Sequence, residues 1–328
     1  MVHIIGSGRA LPAECLSAET LDAQLGFPIG HLQKETGVSH RYVCRDESQI
    51  DLAISACKTA LEDAGIDATE IDLLISGCAV PYQPIPSTAP LVMRELGIAD
   101  GSAAAFDVNS TCLSFLTALQ TADRLLDTGQ HTNALVFSAE IASRALPWST
   151  HPEVAGLFGD GAAAVVLTRN SNGTRGLKSV LFRTYPSAYE ASEIGAGGTR
   201  FDYREDRDAF EHNTLFSMDG IALFRLTIEH FNSCVDGLLD QAGWQHKDVD
   251  HVIPHQASPA ALSHMVRLTK FDKDRVFDIA SDYGNQIAAS IPFAFDLARK
   301  QGRIGPGSKV LFLGTSAGVS IGGIAYEA

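Results

Sequence analysis

Basic residues are scarce in this chain: 25 Lys and Arg stand against 39 Asp and Glu, for a formal net charge of −14. A surface that negative repels phosphate backbones and anionic lipid headgroups, which argues against nucleic-acid or membrane-surface binding. Cysteines are few and scattered. Cys15, Cys44, Cys57, Cys78, Cys112 and Cys234 form no CxxC and none of the spacings of a zinc site, so no metal is expected, only free thiols in a reducing cytoplasm. Long apolar runs are missing too. Nothing approaches the ~20 apolar residues that cross a bilayer, and the opening MVHIIGSGRALP has no basic stretch leading into an apolar one. What is present is an ordinary globular composition, 45% hydrophobic and 20% charged. The 328 residues suffice for two domains of roughly 150 residues or one double-sized α/β unit.

Apolar runs of strand length alternate with amphipathic helix-length segments. His3 to Gly6, Leu73 to Gly77, Ala104 to Val108, Ala134 to Ser138 and Ala162 to Leu167 read as strands of a mostly parallel, fully covered sheet. Ser48 to Ala64 and Cys112 to Asp127 read as helices closed by Gly65 and Gly129. After the turn-rich linker Asn170-Ser171-Asn172-Gly173 the same order restarts. LEDAGIDATEIDLLISG (61–77) lies over LDQAGWQHKDVDHVIPH (239–255) without a gap, with five identities and four conservative pairs. Phe106-Asp107-Val108 recurs as Phe277-Asp278-Ile279, and Phe158-Gly159-Asp160-Gly161 with its strand is set against Leu313-Gly314-Thr315-Ser316 with its strand. Three matches in one order predict a duplicated α/β fold, with halves 1–169 and 170–328 packed as one body.

Cys112 follows a strand and the short turn Asn109-Ser110-Thr111 and opens a helical run, which places its sulfur at a helix N-terminus. Unpaired N–H groups and the helix dipole there favour the nucleophilic thiolate. A buried structural cysteine is the plain alternative, and the other five are read that way. His255 emerges from the apolar run Val252-Ile253-Pro254, at the carboxyl end of a strand where open α/β sheets carry their sites. Asn285 lies in the turn Asp282-Tyr283-Gly284-Asn285. A Cys, a His and an Asn at such junctions form an acyl-transfer set, in which the thiolate takes an acyl group while imidazole and amide donate to a developing oxyanion.

These residues resemble the β-ketoacyl-acyl carrier protein synthase III family of the thiolase superfamily. The matching segments are Ile5-Gly6-Ser7-Gly8 to Pro12, Thr36-Gly37-Val38, Phe106 to Phe115, Phe158 to Val166 with its GDGAAAVV, and Ile253 to Ala257. Tyr283 through Ser290 and Gly318 to Gly323 complete the likeness, which spans nearly the whole chain. The resemblance implies an α/β, thiolase-like duplicated αβαβα layered fold. It implies that Cys112 accepts a primer acyl group and that His255 and Asn285 assist decarboxylation of a malonyl thioester and hold the enolate for carbon–carbon bond formation. The N–H groups of Cys112 and Ala317 would form the oxyanion hole. Acyl carrier protein and acyl thioesters are the implied partners and a cytoplasmic homodimer the implied assembly. No cofactor is implied, acyl-coenzyme A or acyl-carrier protein being substrate.

The departures from the family pattern shape the expectations. His31 stands where the family stacks an aromatic ring on adenine and Glu35 where it has an arginine, which predicts a poor fit for coenzyme A. Of the carrier-docking positions Ala260 has lost its charge, while Arg225 and Arg267 keep theirs. Ile85 replaces a phenylalanine that the partner subunit uses to close the acyl pocket, whose walls include Met218 and Gly220, so a primer longer than acetyl is expected. Ser316-Ala317-Gly318 replaces consecutive glycines in the oxyanion loop, which leaves retention of decarboxylation open. The stretch 185–216 breaks the repeat and reads as a lid or as a loose surface loop. The alternative readings are an acyltransferase of the same fold with another acceptor, forming an ester or amide, and one joining two acyl thioesters without decarboxylation. A thiolase needs a second cysteine near the C-terminus, and none follows Cys234. A papain-like hydrolase fits the 143-residue Cys-to-His spacing but lacks that family's local signature. A non-catalytic acyl-binding subunit has no use for the intact set.

Overall fold

The computed structural model describes residues 2–169 and 175–328. The linker read at 170–173 lies outside them. Two sheets carry the fold. The first runs, from edge to edge, Val2–Ala10, Gly161–Arg169, Asn133–Glu140, Leu73–Ser76, Ala104–Asp107. The second runs Gly176–Thr184, Ser320–Glu327, Lys309–Ser316, His251–Pro254 in the same sense. A parallel bridge from Val252 to Val276 extends it where the first sheet has its last strand. In the first sheet Leu74 pairs with Ala105, and the repeat read from sequence sets Leu74 over Val252 and Ala105 over Val276. The duplication therefore holds at the level of register for two of the three sequence matches. The third slips: strand 161–169 corresponds to strand 320–327, so Leu313–Ser316 belong to the preceding strand.

Each sheet is mixed rather than mostly parallel. Strand 133–140 lies parallel to 73–76 but antiparallel to 161–169, and the latter is antiparallel to 2–10 as well. The connection from Glu140 to Gly161 stays at one end of the sheet and includes no crossover helix of the length a parallel return needs.

Both faces of each sheet are covered, which is why the strands read as continuous apolar runs. Leu73, Ile75 and Val136 face a central core with Val310 and Phe312 of the other sheet, around the helices Ser114–Asp127 and Ser290–Lys300. Leu74, Leu135 and Phe137 face outward against helices Gln49–Ala64 and Thr88–Glu95. Leu311 and Leu313 face outward against helices Gly220–Ala242 and Pro259–Thr269. Helix, sheet, helix, sheet, helix is the resulting order, as the duplicated reading requires. The predicted helix 48–64 begins one residue later at Gln49, where the Ser48 side chain accepts the Asp51 N–H and Asp51 accepts the Ser48 N–H.

The stretch 185–216 is mostly exposed. It holds a short helix, Arg207–His212, and leads into a ribbon pairing Met218 with Ser192. Its ends are tied down by Tyr185 N–H to the Val319 carbonyl at 2.7 Å and Phe216 N–H to the Ala145 carbonyl at 2.8 Å.

Candidate active site

The segment carrying Cys112 is a strained elbow. Thr111 has φ = 52°, a conformation that a β-branched residue adopts only when its surroundings force it. The surroundings are polar and explicit. Thr111 N–H donates to Asn109 Oδ1 at 2.8 Å, Asn109 Nδ2 donates to the Ala79 carbonyl at 2.7 Å, and Ser114 Oγ donates to the Thr111 carbonyl at 2.6 Å. Leu113, wholly buried in the central core, anchors the other side. Cys112 thus lies in a single 3₁₀ turn, Thr111–Leu113, ahead of the α-helix that begins at Ser114.

The backbone N–H groups of Cys112 and of Ala317, from the loop after strand 309–316, lie close enough to the sulfur to favour its charged form. Thr111 Oγ1 donates to the Ala317 carbonyl at 3.2 Å, so the Ala317 backbone is held to the elbow through its carbonyl. These donors favour a thiolate, but burial outweighs them and the buried Glu140 carboxylate adds to it, pushing the Cys112 thiol up to about 12. The thiolate expected from a helix N-terminus is therefore not the resting form. The sulfur rests as a thiol because dehydration exceeds what one short turn and two amides supply.

His255 comes from the second sheet. Its N–H donates to the Leu313 carbonyl at 2.7 Å, continuing the parallel pairing of strands 251–254 and 309–316. Gly314 lies between the two halves of the site: a Cβ there would stand 2.8 Å from Leu113 Cδ2 and 3.0 Å from His255 Cβ. The neighbour of Cys112 and the histidine therefore close on one glycine. His255 is 6% exposed, and burial lowers its pKa to about 4, so the ring is neutral at physiological pH.

Asn285 is clamped by the N-terminal half. Its N–H donates to the Leu157 carbonyl at 2.8 Å, and its carbonyl accepts the Gly159 N–H at 3.2 Å. Gly284 makes that approach possible: its φ is 67°, and a Cβ would stand 2.9 Å from the Leu157 carbonyl oxygen. The amide is oriented by Ile287 N–H, which donates to Oδ1 at 2.8 Å, and by Nδ2, which donates one hydrogen to the Ala257 carbonyl at 3.3 Å. A second Nδ2 hydrogen stays free of these contacts. The turn that follows, Ile287–Ala289, packs against the Thr111–Leu113 turn.

The other predicted site residues are more dispersed. Arg225 and Arg267 are exposed on the outer helices 220–242 and 259–269. Met218 sits in the short ribbon, and Gly220 opens its helix at a point where an added Cβ would have only Met218 Cε within 4 Å. Ile85 is 86% exposed, so within one chain it walls no cavity. Sequence reasoning passed over Ser290 and Glu140. Ser290 is fully buried, with Oγ 2.8 Å from His255 Nδ1. Glu140 is fully buried beneath the elbow; it accepts N–H bonds from Ala79 and Val80, and burial raises its pKa to about 8. For Ser290 the signal was its place in the YGN segment; for Glu140, an acid ending an otherwise apolar strand.

Comparison with known proteins matches residues 106–185 to the family model "3-Oxoacyl-[acyl-carrier-protein (ACP)] synthase III" and residues 239–328 to that of its C-terminal part. The chain is 36% identical over 323 residues to a β-ketoacyl-[acyl-carrier-protein] synthase III of Erythrobacter litoralis, covering 97% of each. Among solved structures, 3-oxoacyl-[acyl-carrier-protein] synthase III from Aquifex aeolicus VF5 is similar at 30% identity with a TM-score of 0.87, covering 100% of both chains. The corresponding synthase from Pseudomonas aeruginosa PAO1 is similar at 29% identity and TM-score 0.88, covering 99% of this chain and 98% of that one.

Proposed function

The chain belongs to the 3-oxoacyl-[acyl-carrier-protein] synthase III family, and from that premise we propose that Cys112, His255 and Asn285 carry out its decarboxylative condensation. The protein is an acyltransferase that joins a primer acyl thioester to a malonyl thioester and releases a 3-oxoacyl thioester and CO₂. The observation that carries this reading is the convergence of the Cys112 and Ala317 N–H groups on the Cys112 sulfur, with His255 next to Leu113 across Gly314.

In the first half-reaction the sulfur attacks the primer carbonyl, the two N–H groups hold the tetrahedral oxyanion, and the carrier leaves as a thiol with the proton that Cys112 gives up. In the second, the malonyl C–CO₂ bond breaks and its electron pair becomes an enolate. His255 Nε2–H and the free Asn285 Nδ2–H donate to the enolate oxygen. Two donors fixed in a water-poor site contribute several kcal/mol each to such a step. The enolate carbon attacks the acyl carbonyl, and the departing sulfur takes a proton from solvent, as its raised pKa favours. No electrons pass to a carrier and the enolate is held by hydrogen bonds, so the reaction as written calls for no metal or redox cofactor.

The finer assignments follow the same reading. Acyl carrier protein docks at Arg225 and Arg267. Two copies associate so that each supplies its exposed Ile85 to the other's acyl pocket, beside Met218 and Gly220. Ile85 in place of an aromatic ring leaves room for a primer longer than acetyl, and Glu35 disfavours the phosphates of coenzyme A as its carrier. A cytoplasmic location goes with carrier-protein substrates in this reading. Among the described residues, no helix is long and apolar enough to cross a membrane. The test is release of labelled CO₂ from malonyl-carrier protein by acylated enzyme, with Cys112→Ala as control. Product formed from two acyl thioesters without CO₂ would refute the reading.

A further inference from the structure

Donation from His255 to a substrate oxygen depends on which ring nitrogen bears the hydrogen. A neutral imidazole has one N–H and one lone pair, and only the form with hydrogen on Nε2 donates outward if Nδ1 faces the protein. Nδ1 lies 2.8 Å from Ser290 Oγ. The same hydroxyl oxygen receives the backbone N–H of Gln256 at 3.3 Å, and a backbone N–H is always a donor.

Gln256 holds that donor in place. Its side chain donates to the Pro254 and Phe277 carbonyls at 2.8 and 3.0 Å and accepts the Ile279 N–H at 2.9 Å. Ser290 itself has no exposed surface. Its hydroxyl owns one hydrogen, and among the described residues the one acceptor within reach is Nδ1. Were Nδ1 protonated, the oxygen would face two donors while its own hydrogen stayed buried without a partner. Buried hydroxyls rarely tolerate that. At the other side of the ring, Nε2 makes no hydrogen bond among the described residues, and it is not one of the wholly buried, unpartnered polar atoms, which leaves it free to meet a substrate oxygen.

We propose that Ser290 is a positioning residue that donates its hydroxyl hydrogen to His255 Nδ1 and thereby keeps the imidazole hydrogen on Nε2, directed at the substrate oxygen. The inference rests on the reading of His255 as the enolate donor and adds how that donor is set. A hydroxyl suits the task better than a carboxylate. An acidic partner would accept from Nδ1 and turn the lone pair of Nε2 outward, making the histidine a base; Ser290 does the reverse. The Oγ–H to Nδ1 bond also competes with protonation of the ring, so the neutral donor persists.

The test combines ¹⁵N NMR of histidine-labelled full-length enzyme with single-step kinetics of Ser290→Ala. In the unmodified enzyme Nδ1 should give a pyridine-type shift and Nε2 a pyrrole-type shift. In Ser290→Ala the two forms should mix. kcat for CO₂ release should fall about 10- to 100-fold, the range typical for removing the partner that orients a working histidine. The KM for the malonyl thioester and the rate of Cys112 acylation, read by intact mass, should stay within about twofold, because neither uses the Nε2 hydrogen. A pyrrole-type Nδ1 in the unmodified enzyme overturns the proposal, and that spectrum decides the matter even if the variant does not fold. Unchanged kcat in a folded Ser290→Ala also overturns it. His255→Ala separates the two levels: if it retains CO₂ release, the donor reading fails; if it loses release while Ser290→Ala does not, only the proposal about Ser290 fails.

Discussion

Replacing Gly314 with alanine should disable condensation by squeezing the site from within. The added methyl would stand 2.8 Å from Leu113 Cδ2 and 3.0 Å from His255 Cβ, against an ordinary carbon–carbon contact of about 3.5–4.0 Å. Neither neighbour retreats freely. Leu113 has no exposed surface and belongs to the central core, while His255 is held by its N–H to Leu313 and by Nδ1 to Ser290. Overpacking of this kind costs about 1–3 kcal/mol, and misplacing a reacting group by about 1 Å costs on the order of 100-fold in rate. The expected result is a loss of about 10- to 100-fold in CO₂ release per folded molecule and a melting temperature lower by several degrees. Gly6→Ala is the matched control. Its methyl meets the Ala60 carbonyl and Ala64 Cβ on the outer helix, so stability should fall while turnover per folded molecule does not. A fully active Gly314→Ala, or a control that loses as much turnover as the site variant, would refute the reasoning.

Because Cys112 rests as a thiol with its pKa raised to about 12, its alkylation by iodoacetamide should climb steadily from about pH 7 to 10; a plateau below about pH 9 would contradict the burial argument. Glu140, with its pKa raised from 4.5 to about 8, holds a proton in the folded state that the unfolded chain has already lost. Stability should therefore fall as pH rises from about 4.5 to 8 and level off above about 8, and Glu140→Gln should flatten that slope in melting scans; an identical slope in both proteins defeats the assignment. Octanoyl transfer to Cys112 should exceed acetyl transfer in intact-mass assays, and a clear preference for acetyl would remove Ile85 as a determinant of primer length. Asp296→Asn, which weakens the buried carboxylate that receives Ser7 and Arg9, should lower stability by about 1–3 kcal/mol in denaturant titration; an unchanged midpoint would contradict it.

The fold was legible where one physical rule dominated. Strands covered on both faces must be apolar throughout, so Leu73–Ser76 and Ala134–Ser138 stood out, and the gapless alignment of 61–77 with 239–255 carried the register of both sheets. Strand direction was not legible, because an antiparallel return such as 133–140 to 161–169 leaves the same apolar signature as a parallel one. At the site, residue types and junctions named Cys112, His255 and Asn285. Their electrical state did not follow. The sulfur's protonation depends on dehydration and on Glu140, far from it in sequence, and the histidine's hydrogen depends on Ser290, 35 residues away. Sequence spacing carries no direct measure of either. Ile85 shows the opposite limit: the role proposed for it needs a surface that one chain does not supply.

Helices 114–127 and 290–300 fill the gap between the two sheets, and the sulfur rides on one slab while the ring and the Ala317 amide ride on the other. The distance between the sulfur and the ring is thus set by how two layers of buried side chains stack, much as the gap of a capacitor is set by its spacer. Substitutions deep in that filling, with no contact to any substrate, should tune turnover as surely as changes in the cleft itself.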